Sequence, residues 1–340
     1  MIIAIHHRPN SYSNLWIEYC QKHNIQYKIV NAYANDILKQ LADCDIFMWH
    51  FHHNIYKDYL FAKHLIYTIE KQLNIITYPN IDTCWHFDDK VGQKYLLNAI
   101  DAPIVPTYTF YTRDDALDWI KRTTFPKVFK LRSGASSKNV QLVENIQQAK
   151  NLIDKAFICG FQRNSHLIRI GQRWKRYRNG SCTLKWFLKG IINPYSYKER
   201  FNKEEIGYVY FQDFIPNNNF DIRVFLIGNR AVAKKRMNRK NDFRASGSGC
   251  LIFNNQQIDK RFIETAFYIN KKLNMQSVAF DFLFDPDGNP VLTEISYCCG
   301  IETNKGYTGY WTEDLQWHEC NNINICDWIT EDVIKKATTR

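Results

Sequence analysis

The stretch of chain between residues 277 and 300 constrains the fold more than any other part of the sequence. Five consecutive turn-forming residues, Asp285 to Asn289, separate two runs that are rich in β-branched and aromatic residues. Such an arrangement is typical of an antiparallel hairpin. With a four-residue loop at 286–289, Phe284 would pair with Val291. The sequence therefore predicts two adjacent strands whose register is set by this turn.

The same register places two carboxylates, those of Asp281 and Glu294, directly opposite each other. Since side chains alternate along a strand, Ser296 lies on the same face of the hairpin. Two like charges about 5 Å apart repel each other unless a cation lies between them. Oxygen ligands of this kind suit Mg²⁺ when phosphate groups complete its shell. The residues alone leave two interpretations open, a cation site and a solvent-facing strand pair without a ligand.

The net charge of the chain limits the classes of binding partner that we expect. The 340 residues carry a formal net charge of +11, which favours an anionic partner such as a nucleotide, a phosphorylated substrate, nucleic acid or an acidic membrane surface. The N-terminal sequence becomes polar too early for a secretory signal, and no apolar run approaches the roughly 20 residues of a membrane span. The ten cysteines include no C-x-x-C pair. We therefore expect a cytoplasmic protein with reduced thiols.

The first 80 residues alternate predicted strands and helices, in the order of a small open parallel α/β domain. Arg8 follows the first predicted strand, and His50, His52 and His53 follow the third. Ligand clefts of such sheets open at the carboxyl ends of the strands. The histidines are interpreted either as ligands of a substrate acid or transition metal, or as a polar loop. Arg8 is the better candidate for a carboxylate or phosphate, because a guanidinium binds these groups bidentately.

Two later stretches are compatible with anion binding without specifying it. Small residues between Ser133 and Ser137 would let backbone N–H groups approach a phosphate, but they suit a plain hairpin loop equally well. Between Arg163 and Lys189, basic and aromatic side chains are interleaved with no acid among them. Nucleic acid, a membrane interface, an anionic glycan and a solvated basic face all remain open for this segment. The strand-like alternation of residues 181–189 argues against an amphipathic helix.

The chain carries a series of motifs in this order: Asp89-Lys90, Lys130, Gln212-Asp213-Phe214-Ile215, Asp221-Ile222-Arg223, Asp242-Phe243-Arg244, and Asp281 with Glu294. This order, from Asp89 to Gly300, resembles the ATP-grasp superfamily, and most closely its RimK-type branch, the ribosomal-protein glutamate ligases. Asp89 and Lys90 stand where that family opens its grasp domain with an aspartate followed by a lysine. Lys130 stands at the position of a second lysine, which contacts ATP phosphates before a small-residue loop. The hinge strand that hydrogen-bonds the adenine in the family is matched by Gln212, Asp213, Phe214 and Ile215.

Two further motifs of the family follow the hinge. The D-I-R segment is intact, with Asp221 at the position that meets the ribose region and Arg223 two residues later. The D-F-R segment places Arg244 where a phosphate-binding arginine is expected, and Ser246 follows it. The agreement of several spaced motifs in one order makes the resemblance more specific than any single loop.

The resemblance implies two cofactors, ATP and Mg²⁺, and a set of residues for each. The implied metal ligands are Asp281, Glu294 and Ser296, the last in place of the family's asparagine. The implied catalytic residues are Arg244, Arg223 and Lys130. The residues implied to contact ATP are Lys90, Lys130, the four hinge residues Gln212, Asp213, Phe214 and Ile215, and also Asp221, Arg244 and Ser246.

The resemblance also implies the architecture and the activity. The expected fold class is α/β, an ATP-grasp fold of α+β grasp domains preceded by an open parallel α/β pre-grasp domain. The expected domains are residues 1–88, 89–207 and 208–340. The expected activity is an ADP-forming, ATP-dependent carboxylate–amine ligase that acts through an acyl phosphate.

The substrates are open at this point. We expect an anionic carboxylate and an amine, and we interpret the acid as a sugar-linked or small-molecule carboxylate such as a uronic acid, amidated with an amino acid. Aromatic residues between 307 and 317 would stack on a sugar ring; a peptide or protein glutamate ligase is the neighbouring interpretation. Nucleic acid is not expected as a partner, while transient membrane-surface contact and a homo-oligomer stay open. Two other classes also stay open: a nucleotide-sensing module that binds nucleic acid or a membrane surface, and an ATP-dependent small-molecule kinase.

Overall fold

The chain folds into two compact units. The first unit comprises Met1–Phe51, Phe61–Val105 and Ile215–Arg340, and the second comprises His52–Leu60 and Pro106–Phe214. The predicted domain boundaries after residues 88 and 207 stay predictions. None of the described helices combines the length and apolar character that a membrane span requires. The computed structural model describes residues 1–53, 55–134, 139–162, 204–240, 242–298 and 306–339, with isolated positions between 163 and 203.

A four-stranded parallel sheet opens the first unit, in the order β2–β1–β3–β4. Its strands are short and apolar, and the residues of β1 and β3 are buried throughout, as expected when helices cover both faces. The predicted open parallel sheet is therefore confirmed. The elements of this part of the chain are β1 (Ile3–His6), α1 (Tyr12–Lys22), β2 (Tyr27–Val30), α2 (Ile37–Gln40), β3 (Ile46–Met48), α3 (Tyr56–Gln72), β4 (Ile76–Tyr78), α4 (Ile81–Cys84) and α5 (Lys90–Ala99).

The chain breaks its helical path just before Lys90. Helix α4 ends at Cys84, and α5 begins only at Lys90. Asp88 adopts a left-handed conformation with φ of 56°. Asp89 then caps α5, its side chain accepting a hydrogen bond from Gly92 N. Aspartate favours this position because its carboxylate satisfies an N–H group that the helix leaves without a partner. The Asp-Lys motif is thus a helix cap followed by the first helical residue.

An antiparallel sheet in the order β5–β10–β6–β7 forms the centre of the second unit. One face is apolar, and its Phe129 and Phe211 belong to the same core cluster as residues of α6 and α7. Lys130 and Gln212 lie on the other face, because side chains alternate along each strand. The elements of this part of the chain are β5 (Thr107–Phe110), α6 (Arg113–Ile120), β6 (Lys127–Lys130), β7 (Val140–Val143), α7 (Ile146–Ile158), β8 (Phe161–Gln162), β9 (Glu204–Glu205) and β10 (Val209–Asp213).

The basic and aromatic segment Arg163–Lys189 lies mostly outside the described residues. Where it is described, Leu184, Lys185, Phe187 and Leu188 are helical, and Phe187 N donates a hydrogen bond to Thr183 O. The interpretation of residues 181–189 as strand-like is therefore wrong. Leucine and lysine are good helix formers, and alternation over so short a window does not outweigh that preference.

A larger sheet in the order β15–β14–β11–β12–β16–β17 completes the first unit, with β13 paired to β12. One face carries Val224 and Phe280, which share a core cluster with residues of α8. The opposite face carries Phe225 and Val232, which share a second cluster with residues of α1 and α9. The elements are β11 (Phe220–Ile227), β12 (Arg230–Met237), β13 (Leu251–Ile252), α8 (Lys260–Leu273), β14 (Ser277–Phe284), β15 (Pro290–Ser296), β16 (Gly309–Thr312), β17 (Trp317–Glu319) and α9 (Ile325–Thr338).

The aromatic residues near the C-terminus are part of the core. Tyr307 is 8% exposed and Trp311 is 3% exposed. The Tyr307 ring meets Phe253 edge to face at 5.0 Å, and the Trp311 ring meets Trp317 at 4.5 Å. These contacts leave little ring surface at Tyr307 or Trp311 for a ligand. The expectation that this segment stacks on a sugar ring therefore loses its support at these two positions.

Candidate functional site

The β14–β15 hairpin reaches its predicted carboxylate pair by a route that the sequence did not predict. Its loop has five residues, Asp285 to Asn289, so that Phe284 pairs with Pro290, and the predicted Phe284–Val291 pair is wrong. A β-bulge at Thr293 then shifts the register by one residue. Asp281 consequently lies opposite Glu294, and this predicted pairing is confirmed.

The turn of this hairpin is fixed by one of its own carboxylates. Asp285 Oδ1 accepts hydrogen bonds from Asp287 N at 2.9 Å and from Asn289 N at 2.7 Å. Gly288 has a φ of 78°, a conformation that glycine adopts at little cost. At the bulge, the Thr293 hydroxyl donates a hydrogen bond to Asp281 O at 2.9 Å. Local hydrogen bonds therefore hold both the turn and the bulge that align the carboxylate pair.

Charged side chains form a row across four strands of the large sheet. Glu294 on β15 pairs with Asp281 on β14, which pairs with Arg223 on β11, which pairs with Lys234 on β12. All four lie on the face whose apolar residues begin two residues further along β11, at Phe225. The row therefore marks the point at which the core of this face gives way to a polar surface.

Asp281 is held by two guanidinium groups. Arg223 donates from Nε to Oδ1 and from Nη2 to Oδ2 of Asp281, both at 2.7 Å. Arg236 Nη2 lies 2.9 Å from Asp281 Oδ2. Burial by itself would raise the pKa of the Asp281 carboxyl, but the two arginines outweigh burial and hold that pKa well below its usual range. Asp281 is therefore ionised at any physiological pH.

Arg236 also binds the aspartate of the D-I-R segment. Its Nε donates to Asp221 Oδ1 at 2.6 Å and its Nη2 to Asp221 Oδ2 at 2.5 Å. Burial raises the pKa of Asp221, although Arg236 opposes this shift. Both carboxylate oxygens of Asp221 thus face an arginine of the chain, whereas the resemblance implied a role in the ribose region.

Lys90 forms an ion pair with Glu294, the second carboxylate of the β14–β15 pair. Its Nζ lies 3.1 Å from Glu294 Oε1, and the lysine side chain is 6% exposed while that of Glu294 is 33% exposed. The helix that carries Lys90 is fixed to β15, because Gln93 Oε1 accepts a hydrogen bond from Ile295 N. The structure therefore brings together Lys90 and Glu294, two residues that the sequence placed in separate motifs.

The D-F-R segment forms a closed local pair. Arg244 donates from Nε and Nη2 to the carboxylate of Asp242, the shortest of these distances being 2.6 Å. The hydrogen bonds from Arg244 lower the pKa of Asp242. Ser246 contributes its carbonyl oxygen, which accepts a hydrogen bond from Arg239. Arg244 is thus held within its own motif, and its implied contact with a phosphate stays a prediction.

In the second unit, Lys130 and Gln212 form a hydrogen-bonded pair on the polar face of the sheet. Lys130 Nζ donates to Gln212 Oε1 at 2.6 Å, and Gln212 Nε2 donates to Thr107 Oγ1 at 3.1 Å. Both Lys130 and Gln212 are buried. The hydroxyl of Thr109 is buried on the same face and has no hydrogen-bond partner among the described residues. This face therefore offers a fixed ammonium group together with amide and hydroxyl groups for a polar ligand.

The acidic side chain of the hinge lies on the opposite face. Asp213 Oδ1 is 2.5 Å from Lys127 Nζ, which also lies 5.9 Å from the centre of the Trp119 ring. The Asp213 carboxylate is therefore paired with Lys127, beside the helical layer of this unit. A nucleotide contact through Asp213 Oδ1 would have to displace Lys127, and the Asp213 N–H already donates to Pro106 O. Phe214 and Ile215 follow β10 directly and are partly buried.

The start of the small-residue loop is tied to β9 and to Tyr208, the residue before β10. The Ser133 hydroxyl donates to Glu205, and Tyr208 donates to Glu205 Oε2 at 2.8 Å. The Tyr208 oxygen in turn accepts a hydrogen bond from Arg132 N at 2.6 Å. Burial raises the pKa of Tyr208. Residues 135–138, on which the phosphate-cradle interpretation depends, lie outside the described residues.

His6 and His50, which lie at or just after the ends of β1 and β3, are buried. His6 Nδ1 accepts a hydrogen bond from Ala32 N, and burial lowers the pKa of His6 to about 4. The Tyr12 ring stacks on His50 at 4.0 Å, and in the second unit the rings of His52 and His53 stack at 4.2 Å. Among the described residues, no group of three or more His, Cys, Asp or Glu side chains is placed to hold a metal ion. The transition-metal interpretation of these histidines is therefore unsupported.

The Mg²⁺ ion that the resemblance implies requires carboxylate oxygens directed at it. Both oxygens of Asp281 instead accept hydrogen bonds from arginines, and the Ser296 hydroxyl donates to Cys298 O at 3.0 Å. Glu294 differs, since it is partly exposed and its described ion pair is with Lys90. The Asp281–Glu294 pair therefore does not fit a shared Mg²⁺ ion as this structure holds it, while Glu294 alone is compatible with a cation.

Arg236 is the residue of this site that the sequence interpretation missed. The hairpin formed by β11 and β12 turns at Gly228 and Asn229, and it pairs Ile227 with Arg230. The same register places Arg236 opposite Asp221. A two-residue turn at the Gly-Asn pair would have predicted this contact from the sequence, by the same reasoning that paired Asp281 with Glu294.

Comparison with known proteins identifies the fold. Residues 196–312 match the family model of the RimK-like ATP-grasp domain, whereas a search of curated proteins found no match. A RimK-domain ATP-grasp protein from Sphaerobacter thermophilus is similar with a TM-score of 0.57 at 13% identity, over 98% of this chain and 100% of the other. The ATP complex of D-alanine–D-alanine ligase from Bacillus anthracis is similar with a TM-score of 0.58 at 13% identity, over 99% and 98% of the two chains.

A third solved structure, biotin carboxylase from Campylobacter jejuni in complex with a β,γ-ATP compound, has a TM-score of 0.60 at 13% identity. The alignment covers 98% of this chain and 70% of the carboxylase. Sequence identities this low carry information on the fold alone. The mixed α/β architecture expected from the sequence is therefore confirmed.

Proposed function

The chain has the ATP-grasp fold with a RimK-like ATP-grasp domain, and on this premise we propose that it is an ATP-dependent ligase that joins a carboxylic acid to an amine. The observation that carries the proposal is the pair of ion contacts on one sheet face, Lys90 with Glu294 and Arg223 with Asp281. These two contacts fix Lys90 and Arg223 beside partly exposed side chains of the large sheet, most of which belongs to the matched residues 196–312. Such preorganised cations stabilise charge that develops during phosphoryl transfer.

The proposed reaction has two steps. A carboxylate oxygen of the acid attacks the γ-phosphorus of ATP, the bond between that phosphorus and the β,γ-bridging oxygen breaks, and ADP leaves with an acyl phosphate remaining. The amine then attacks the carbonyl carbon, the bond to the phosphate oxygen breaks, and inorganic phosphate leaves as the amine loses a proton. The products are an amide, ADP and phosphate.

In the first unit, Lys90 and Arg223 are proposed to stabilise the transferring phosphoryl group and the acid. Lys90 is buried and held by Glu294, and Arg223 is 22% exposed and held by Asp281, so both cations are fixed before substrate arrives. Arg244 is proposed to contact phosphate after leaving part of its pairing with Asp242. Mg²⁺ enters no step of this proposal, because Asp281 does not fit it in the present arrangement.

In the second unit, the polar face around Lys130 is proposed to bind ATP. Lys130 would meet phosphate oxygens, because its ammonium group is already oriented by Gln212. Gln212 offers the Lys130 ammonium group only a neutral acceptor, so it does not compete strongly with an anionic ligand. The backbone of Asp213, Phe214 and Ile215 is proposed to serve the adenine, since the Asp213 side chain is already paired with Lys127.

The acid is proposed to be a sugar-linked or small-molecule carboxylate and the amine an amino acid. The net charge of +11 supports an anionic acid over a neutral or basic one. A cytoplasmic location for the reaction stays a prediction from the sequence.

The proposal is tested by ADP release from ATP with pooled carboxylic acids, in the presence and absence of pooled amines. A ligase releases ADP only when an acid is present, and it accumulates amide only when an amine is added. A stable phosphorylated product that forms without any amine would indicate a kinase instead. The proposal would be contradicted if no pool of acids caused ADP release above that of the Glu294→Gln variant, which serves as the blank.

A further inference from the structure

Asp281 lies at the centre of a network that extends over three strands. It accepts hydrogen bonds from Arg223 on one side and is in contact with Arg236 on the other, and Arg236 continues to Asp221. The side chains of Asp281 and Arg236 are only 13% and 6% exposed. Charge-assisted, bidentate hydrogen bonds of this kind are the strongest that side chains form, and shielding from water strengthens them further.

Three carboxylates of this face each have a basic partner within the chain, without an added cation. Asp221, Asp281 and Glu294 supply three negative charges, and each has a basic partner within 3.1 Å. Those partners are Arg236, Arg223 and Lys90. A divalent ion between Asp281 and Glu294 would have to displace Arg223 from a bidentate contact. An empty metal site, by contrast, would leave two carboxylates facing each other and repelling.

We infer that Asp281 is the buried counter-ion that fixes Arg223 and Arg236 on this face, and that it is not a ligand of a divalent metal ion. Asp221 holds Arg236 from the other side, so that the guanidinium is fixed between two carboxylates. Asp281 is thus a positioning residue, whose effect on the proposed reaction passes through the arginines. The significance of these arginines for catalysis rests on the proposed function, whereas the counter-ion role rests on the contacts alone.

Unfolding in urea, in metal-free and nucleotide-free buffer, separates a counter-ion from a metal ligand. For a counter-ion, Asp281→Asn leaves Arg223 and Arg236, whose side chains are 22% and 6% exposed, without sufficient negative charge. The unfolding equilibrium constant then rises on the order of 100-fold or more. Glu294→Gln, the matched change across the same strand pair, raises it by less than about 10-fold because that side chain is partly exposed. An Asp281→Asn protein as stable as the wild type, or more stable, would overturn the inference. That result is the one expected when a carboxylate of an empty metal site is removed.

A double variant keeps the test decisive if Asp281→Asn fails to fold. Adding Arg223→Met to Asp281→Asn removes one charge of each sign and leaves Arg236 paired with Asp221. The double variant is expected to fold and to be more stable than Asp281→Asn alone. A double variant that is unfolded, or no more stable than the single one, would overturn the counter-ion role.

The metal dependence of nucleotide binding supplies a readout that a purely structural residue would not change. Calorimetry gives the Kd of a non-hydrolysable ATP analogue in EDTA and in Mg²⁺, and the ratio of the two is compared between proteins. The double variant is expected to keep the wild-type ratio, even if both affinities fall. A ratio that collapses toward one in the double variant would show that Asp281 binds the ion. If the wild type binds no analogue, the proposed function fails, while the unfolding results still decide the role of Asp281.

Discussion

Lys127 and Lys130 stand three residues apart on β6 and point to opposite faces of the sheet. Lys127 Nζ contacts the carboxylate of Asp213 at 2.5 Å, beside the helical layer. Lys130 Nζ contacts the amide oxygen of Gln212 at 2.6 Å, on the polar face. Both lysines are less than 10% exposed. The same residue type at similar burial therefore forms an ion pair beside the helical layer on one face and a hydrogen bond with a neutral amide on the other.

Exchanging each lysine for methionine is expected to separate these roles. Lys130→Met should weaken ATP binding by about 10-fold or more, because a charge-assisted contact is lost, with little change in stability. Lys127→Met should reduce the free energy of unfolding by about 2 kcal/mol, because the carboxylate of Asp213 loses its partner, while ATP affinity is retained. Calorimetry and urea unfolding measure the two effects. Equal losses of affinity in both variants would contradict the assignment of the two faces.

Glu294→Gln is expected to abolish ATP turnover with the fold intact. The change keeps the size of the side chain but removes the charge that holds Lys90 at 3.1 Å. The rate of ADP release with a working acid should fall at least about 100-fold, as when other preorganised charge-stabilising groups are removed. Glu313→Gln serves as the control, because Glu313 is 63% exposed and lies 3.9 Å from Lys271. Normal ADP release by Glu294→Gln would argue against the proposed site.

His86 is expected to make the fold sensitive to acid. Neither ring nitrogen has a hydrogen-bond partner among the described residues, and burial lowers the pKa of His86 to about 3. The unfolded chain binds a proton on His86 near pH 6.5, and the folded chain does not. The contribution of His86 to the free energy of unfolding is therefore constant above that pH and falls as the pH drops from 6.5 toward 3. At pH 5 the loss should be about 2 kcal/mol.

His86→Phe should remove this part of the acid sensitivity and should also stabilise the protein at pH 7, since the two ring nitrogens at this position are no longer buried without a partner. Urea unfolding between pH 7 and pH 4 measures both effects. His64→Gln, at an exposed position, is the control and should leave the pH profile unchanged. An unaltered profile in His86→Phe would show that other groups cause the acid sensitivity.

Gly228→Ala is expected to destabilise the β11–β12 turn. Gly228 has a φ of 54°, and an added Cβ would collide with the carboxylate of Asp332. Asp332 cannot move freely, because it accepts a hydrogen bond from Arg230 at 2.8 Å. Gly288→Ala is a matched control, since its φ is also positive but nothing lies within 4 Å of the added atom.

The expected loss is about 1 kcal/mol for Gly288→Ala, from backbone strain alone, and about 2 to 3 kcal/mol for Gly228→Ala. Thermal and urea unfolding of the two variants give the difference. Equal losses would mean that the contact with Asp332 contributes nothing.

The pairing of Asp281 with Glu294 was predictable because turn residues and strand alternation are local properties of the sequence. The bulge at Thr293 was not, since the longer loop and the extra residue compensate each other and leave the same pair aligned. The open parallel sheet at the N-terminus followed from the alternation of apolar runs and helices. The interruption before Lys90 did not, because it depends on a single left-handed residue, Asp88.

The ionic partners of the site residues were the least predictable feature. The motifs identified Asp221, Arg223 and Asp281 separately, but which charge meets which depends on the register of three strands. Arg236 belongs to no motif that the resemblance supplied, and its importance appears only when β12 is placed beside β11. A residue's role in a family is thus a weaker guide to its contacts than the sheet that carries it.

The transfer of oxygen from the acid to phosphate tests the proposed ligase most directly. The acid found by ADP release is labelled with ¹⁸O in its carboxylate and incubated with ATP, the amine and the protein, and the inorganic phosphate is analysed by mass spectrometry. A reaction through an acyl phosphate places one ¹⁸O atom of the acid in each phosphate released. If the released phosphate carries no label although its amount equals that of ADP, ATP is hydrolysed without activating the acid. That result would contradict the account.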